Sequence, residues 1–175
     1  CNRGKRSLAI DLKTQTGRDA VMRLAADADV LLHNYRPGVM DKLGLGSETL
    51  RAANERLIYL GVSGFGTTGP MSANAAYDHV IQGLSGITAM QGRDSEMKYI
   101  NTLICDKITA YTVAQAATAA LLARASTGKG QHIDISMLQA NLAFMWPDGM
   151  MHKTIEDKDG VIDMPPISDY YQTLD

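Results

Sequence analysis

An α/β fold, with a parallel sheet carrying helices on its faces, is the architecture this sequence predicts. Short apolar or alternating runs at Ser7–Leu12, Val30–Leu32, Leu57–Ser63 and Gln131–Ser136 are separated by segments of helical period. Each interval is long enough for a crossover helix, which parallel neighbours require. The chain has 175 residues, 45% hydrophobic and 21% charged, which suffices for one domain with its own core.

Ser7 to Leu12 (SLAIDL) alternates apolar with polar and reads as the first strand, after which Thr14 to Gly17 turn the chain. Val21, Leu24, Ala25 and Ala28 recur at helical steps, with Arg18, Asp19 and Arg23 opposite, so a helix follows. Val30 to Leu32 form a buried strand ending at His33 and Asn34, completing a strand-helix-strand unit. Val39–Leu43 makes a short helix. Gly44-Leu45-Gly46 is punctuation without the spacing of a dinucleotide loop, and Ser47 caps the next helix. After the Leu57–Ser63 strand come Gly64-Phe65-Gly66-Thr67-Thr68-Gly69-Pro70, a loop whose glycines permit motion or the close approach of a ligand, or serve as a plain connector. Tyr77 and Asp78 open a helix running to about Gly92, with Asp78 as cap, and Arg93 to Lys98 form a charged loop.

From Asp106 to Ser126 there is no Pro or Gly, and small or apolar residues dominate, which suits a long, well-buried helix stopped by Thr127-Gly128-Lys129-Gly130. Gln131–Ser136 is the following strand, and Met137 to about Trp146 an apolar helix. Residues 151–166 read as a connector, and Asp169–Leu174 as the first strand of another unit.

Composition excludes several functions. A net charge of −2 gives no electrostatic case for nucleic acid or an anionic membrane surface. No apolar run is long enough to span a bilayer, so a cytoplasmic location is expected. The only cysteines are Cys1 and Cys105, and His33, His79, His132 and His152 fall in different elements, so no metal site is expected. The chain opens on Cys1 rather than Met and is expected to be a piece of a longer protein.

Asp106 is the residue that invites chemistry. A carboxylate at a helix start caps unpaired backbone N–H groups, and the same groups would hold it ionised, as a nucleophile requires. Serine chemistry is disfavoured because Gly61-Val62-Ser63-Gly64 lacks the spacing of a nucleophile elbow. Cys105 is disfavoured because the adjacent carboxylate raises a thiol's pKa. Asn34, Tyr35 and Arg36 follow the end of a strand, where α/β proteins bind ligands, or form an ordinary surface loop.

Four segments in order resemble the family III CoA-transferases: NRGKRSLAIDLK from Asn2, DVLLHNYRPGVMDKLG from Asp29, SGFGTTGP from Ser63 and TGKGQHIDIS from Thr127. The family includes formyl-CoA transferase, the carnitine CoA-transferases and α-methylacyl-CoA racemase. The resemblance implies a Rossmann-like large domain within an interlocked, ring-like dimer, with residues 1–150 belonging to the large CoA-binding domain and 151–175 to a linker and the start of a small domain. It implies acyl-CoA and a carboxylic acid as substrates, with Asp106 attacking the acyl-CoA carbonyl and then carrying CoA as an aspartyl thioester. The family's CoA contacts fall on Ile10, Asp11, Leu12, Lys13, Asn34, Tyr35, Lys42, Ala75, Ala76 and Tyr77, and its mobile glycine loop on Gly64, Phe65 and Gly66.

Two departures bear on those contacts. Lys42 stands where Arg is common, keeping the charge without the planar fork, and Ala75 stands where formyl-CoA transferase has a basic residue. The racemase branch uses a His before the Asp matching Asp78, whereas this chain has Tyr77, which argues against racemisation. A racemase-like enzyme and a CoA-binding protein without turnover are the alternatives.

Overall fold

The computed structural model describes residues 2–92 and 96–149. Within them three parallel strands, β1 (Val30–His33), β2 (Ile58–Ser63) and β3 (His132–Ser136), lie in the order β1-β2-β3. The register pairs Leu31 with Tyr59 and His33 with Gly61, then Tyr59 with His132, Gly61 with Asp134 and Ser63 with Ser136. Central β2 is covered on both faces, which is why Leu57 to Leu60 form a continuous buried run rather than an alternating one.

One face carries α1 (Gln15–Asp27), α2 (Val39–Lys42) and α3 (Ser47–Ala53), where Ala25, Met40, Leu45, Leu50, Leu57 and Tyr59 form a core. On the other lies α6 (Ile104–Thr127), packing Ala120 on Ile58, Leu60 and Ile135. A third core joins Ile81 of α4 (Asp78–Ser85), Ile87 of α5 (Ile87–Gln91) and Cys105, with Met137 and Leu138 of α7 (Met137–Gly149) against it. That off-sheet cluster seats the first turn of α6 beside the C-terminal ends of the strands. At the other end of α6, Arg124 is buried and donates to the Arg56 carbonyl at 2.9 Å and to the Asp29 carboxylate at 2.6 Å. One guanidinium thus ties α6 to the turns entering β1 and β2.

Several expectations need correction. Ser7–Leu12 is irregular and largely exposed, for a strand exists only with a ladder partner and the segment finds none among the described residues. Its end is instead a turn: the Asp11 carbonyl accepts from the Thr14 N–H, and Thr14 caps α1 by accepting the Gly17 N–H at 3.0 Å. The crossover units are therefore β1 to β2 through α2 and α3, and β2 to β3 through α4 to α6. On α1, Met22 joins Val21, Ala25 and Ala28 at the core while Leu24 is exposed. Gly46, not Ser47, occupies the cap of α3. The helix after Tyr77 breaks at Gly86, whose φ of 89° lies in the left-handed region, giving α4 and α5.

The long helix begins two residues before Asp106 and is not buried throughout, since Tyr111 and Leu122 are 80% and 73% exposed. A three-stranded sheet covers only one side of it. Leu45, in the stretch read as punctuation, is fully buried. The readings for 151–166 and Asp169–Leu174, and residues 93–95 of the charged loop, lie outside the described residues.

Arg124→Met removes both ties while keeping the stem's apolar packing, and leaves the Arg56 carbonyl without its donor. A loss of about 1–3 kcal/mol is expected, read as a lower urea midpoint with an unchanged m-value.

Candidate functional site

Parallel strands deliver their C-terminal ends to one edge of the sheet, and there a cavity of about 740 Å³ opens between β1, β2 and the start of α6. Leu32, Asn34, Tyr35 and Arg36 line it from β1 and the turn after it, and Val62, Ser63 and Gly64 from β2. Ala75, Ala76 and Tyr77 close it ahead of α4, and Asp106, Thr109, Ala110, Val113 and Ala114 come from α6. Those α6 positions recur at three- and four-residue steps, so they share one helix face with Asp106. That spacing was the available signal for Thr109, Ala110 and Val113, none of which the sequence pointed to as a site residue.

Asp106 is exposed to the cavity in the first turn of α6 but does not cap it. The cap position is Leu103, which offers no side-chain bond, and the Asp106 carboxylate accepts no hydrogen bond among the described residues. The cap comes from elsewhere in the chain: Asp78 Oδ2 accepts the Asp106 N–H at 2.9 Å. Asp78 is 3% exposed, and its other oxygen accepts from Gln82 Nε2 at 2.6 Å. Gln82 also accepts the Ile100 N–H and donates to the Ile100 and Thr102 carbonyls. The sequence placed Asp78 as a cap of its own helix, and the four-residue step to Gln82 was the overlooked signal.

The helix start does not lower the Asp106 pKa. Its pKa is raised above the ordinary 3.8, first by desolvation at the cavity wall and then by the Asp78 carboxylate. The Cys105 thiol is fully buried and pushed up to about 12, first by burial, then by Asp78 and Asp106, which makes it a poor nucleophile.

The other predicted positions divide. Asn34, Tyr35, Gly64, Ala75, Ala76 and Tyr77 meet Asp106 around the cavity. Ile10, Asp11, Leu12, Lys13 and Lys42 are not in its lining; Leu12 packs toward the α1 core, and Asp11 accepts the Lys13 N–H. Phe65 packs into the third core rather than facing the cavity, and the Gly66 N–H donates to Ser63 Oγ at 3.0 Å. The Gly64 carbonyl accepts from the Leu138 N–H at 3.0 Å, and a Cβ at Gly64 would run into Ala76, so the start of this loop is pinned between the two walls.

Behind the sheet the register gathers His33, Tyr59, His132 and Asp134 around Gly61. His33 and His132 each meet Tyr59 edge-on at 5.2 Å. Among the described residues no group of His, Cys, Asp or Glu is arranged to hold a metal ion, and no helix is long and apolar enough to cross a membrane.

The family model described as CoA-transferase family III matches residues 1–175. The chain belongs to CoA-transferase family III. It is 42% identical over 146 residues to the acetyl-CoA:oxalate CoA-transferase of Acetobacter aceti, covering 82% of this chain and 38% of the relative. Against the α-methylacyl-CoA racemase of Homo sapiens it is 41% identical over 149 residues, covering 82% and 39%. A CAIB/BAIF family protein from Brucella suis superposes with a TM-score of 0.82 at 43% identity, over 86% of this chain and 40% of that one. The chain thus spans about two fifths of the length of these relatives.

A raised carboxylate pKa means that the fold favours the protonated form. Its stabilising contribution is complete below the unfolded value of 3.8 and is lost as pH rises through the folded one. Asp106→Asn is therefore expected to raise the thermal midpoint at pH 7, with the gain shrinking as pH falls toward 3.8. Thermal melts of both proteins across that range check it.

Proposed function

We propose that the intact protein transfers CoA from an acyl-CoA to a carboxylic acid, with Asp106 as the nucleophile. The observation carrying this reading is an exposed carboxylate on the α6 face of a largely apolar cavity, in a chain that matches CoA-transferase family III throughout. A partly desolvated carboxylate beside a like charge, once ionised, is a stronger nucleophile than one in water.

The steps balance without an external redox partner. Asp106 attacks the acyl carbonyl and the C–S bond breaks, giving a mixed anhydride and CoA thiolate. The thiolate attacks the aspartyl carbonyl, expelling the donor acid and leaving an aspartyl-CoA thioester. The acceptor carboxylate attacks that thioester, forming a second anhydride and releasing CoA thiolate, which then takes the acceptor acyl group and frees Asp106. Anhydrides hydrolyse readily, so a cavity with walls of Leu32, Val62, Ala110 and Val113 favours transfer over loss to water. Arg36 is the cationic side chain in the described lining, and Asn34 and Tyr35 stand beside it to bind acyl-CoA.

Racemisation needs a second acid/base group facing the α-carbon. Position 77 is Tyr, and His79 packs edge-on against Tyr99, outside the described cavity lining. His33 contributes to the lining, but its Nδ1 accepts the Tyr35 N–H and its ring meets Tyr59 behind the sheet. These placements favour transfer. We assign residues 1–150 to part of a large CoA-binding domain and 151–175 to the linker and start of a small one, in an interlocked homodimer of cytoplasmic location. Contacts from Ile10 to Lys13 and from Lys42 would then fall on CoA outside the cavity. Acyl-CoA binding without exchange on a broad panel of acids would instead mark a CoA-binding protein without turnover.

Asp106→Ala in the intact protein is expected to lower CoA exchange by about a thousandfold or more while acyl-CoA still binds. Hydroxylamine added after acyl-CoA should yield a hydroxamate on Asp106, found by peptide mass spectrometry. Full exchange by the variant, or no Asp106 hydroxamate, would sink the proposal.

A further inference from the structure

The peptide group joining Cys105 to Asp106 is held at both of its polar ends by side chains from other helices. Its N–H is taken by Asp78 of α4, and its carbonyl accepts from Asn141 Nδ2 of α7 at 3.3 Å and from Thr109 Oγ1 at 2.7 Å. Asp78 and Asn141 are both buried, at 3% and 0% exposure. We infer that Asp78 and Asn141 are positioning residues for Asp106: they grip the peptide before it from opposite ends and so fix where its carboxylate stands in the cavity. This inference rests on Asp106 being the nucleophile.

The residue types fit the task. Both Asp78 oxygens accept from N–H donors, the Asp106 amide and the Gln82 side chain, so an amide at this position would satisfy only one of them. Gln82 cannot turn its own oxygen to compensate, since that oxygen holds the Ile100 N–H at 2.9 Å. Asn141 shows the opposite imbalance. Its Nδ2 also donates to the Met137 carbonyl at 2.8 Å, while its Oδ1 is buried with no partner. An orphaned buried acceptor costs stability, so apolar packing would serve the fold better at this place. A residue kept at a cost to the fold has its use in the placement of Asp106, where an error near 1 Å lowers a rate by about a hundredfold.

The charges around Asp106 are few. Asp78 faces it from α4, and His33, Tyr35, Arg36 and Tyr77 share its cavity. Cys105 and Lys107 flank it on α6, Lys107 being turned to Thr102 Oγ1. His132 and Asp134 of β3 lie on the far face of the sheet, and the described side chains of α7 carry no charge. Asp78 is therefore the neighbour whose removal should make Asp106 more acidic.

The test compares Asp78→Asn, Asn141→Leu and Asp106→Ala in the intact protein, measuring kcat, KM, acyl-CoA binding by calorimetry and thermal midpoint. Asp78→Asn should lose about 10- to 100-fold in kcat with acyl-CoA binding within about threefold, and its acid limb of kcat should move to lower pH. Asn141→Leu should lose kcat with an unchanged or higher thermal midpoint and an unmoved acid limb, because it removes a dipole and no charge. A purely structural role predicts the reverse, with melting temperature, binding and turnover falling together. That pattern, or wild-type kcat in both variants, overturns the inference. Should Asp78→Asn fail to fold, Asn141→Leu decides alone: lower kcat at an undiminished midpoint supports positioning, and unchanged kcat or a lower midpoint refutes it. Asp106→Ala separates the two readings. If it is inactive while the positioning variants match wild type, only positioning fails; if it exchanges CoA normally, the nucleophile itself is wrong.

Discussion

A helix cannot cap itself when its cap position is Leu103, and the start of α6 consequently depends on Asp78. One buried carboxylate accepts the Asp106 N–H and the Gln82 amide, and Gln82 in turn binds backbone groups of Ile100 and Thr102. The approach to α6 is therefore organised from α4, through side chains four residues apart on one helix. Desolvating a carboxylate is costly, and two N–H donors offset that cost only where both oxygens are engaged. The chain segment leading to Asp106 is held by this pair and by the packing of Ile100, Ile104 and Cys105 in the third core.

The same arrangement sets the electrostatics. Asp78 accepts the Asp106 N–H and, as a like charge, adds to the desolvation that raises the Asp106 pKa. Cys105 shows the complement: buried next to both carboxylates, its thiol is driven toward the neutral form and contributes packing. Asp106, by contrast, is exposed and lines the cavity. Leu32 of β1, Val62 of β2 and Ala110 and Val113 of α6 give the cavity beside that carboxylate an apolar wall.

The parallel sheet was legible because each strand is a short apolar or alternating run between segments of helical period, and β2, buried on both faces, is the clearest of them. Ser7–Leu12 shows the limit of that reading. Alternation describes what a segment can do on an edge, whereas a strand needs a neighbour with free backbone groups, and nothing local in SLAIDL says whether one is near. The break at Gly86 and the exposure of Leu24 and Tyr111 were likewise not readable, since they depend on what covers each helix face.

For the site, local sequence determined the chemical type of the groups: a carboxylate opening a long helix, a glycine-containing turn after a strand, and Asn34-Tyr35-Arg36 at a strand end. It also carried the family, through motifs in their proper order. Only the tertiary structure decided which of these groups meet. Asn34, Tyr35, Gly64 and Ala75 to Tyr77 converge on Asp106 because parallel strands end on one edge, while Ile10 to Lys13 and Lys42 lie away from that cavity. The cap of α6 was hidden for the same reason, since Asp78 lies 28 residues before Asp106. Spacing along a chain reports neighbours on one helix or strand, and a hydrogen bond between helices is set by how the helices pack.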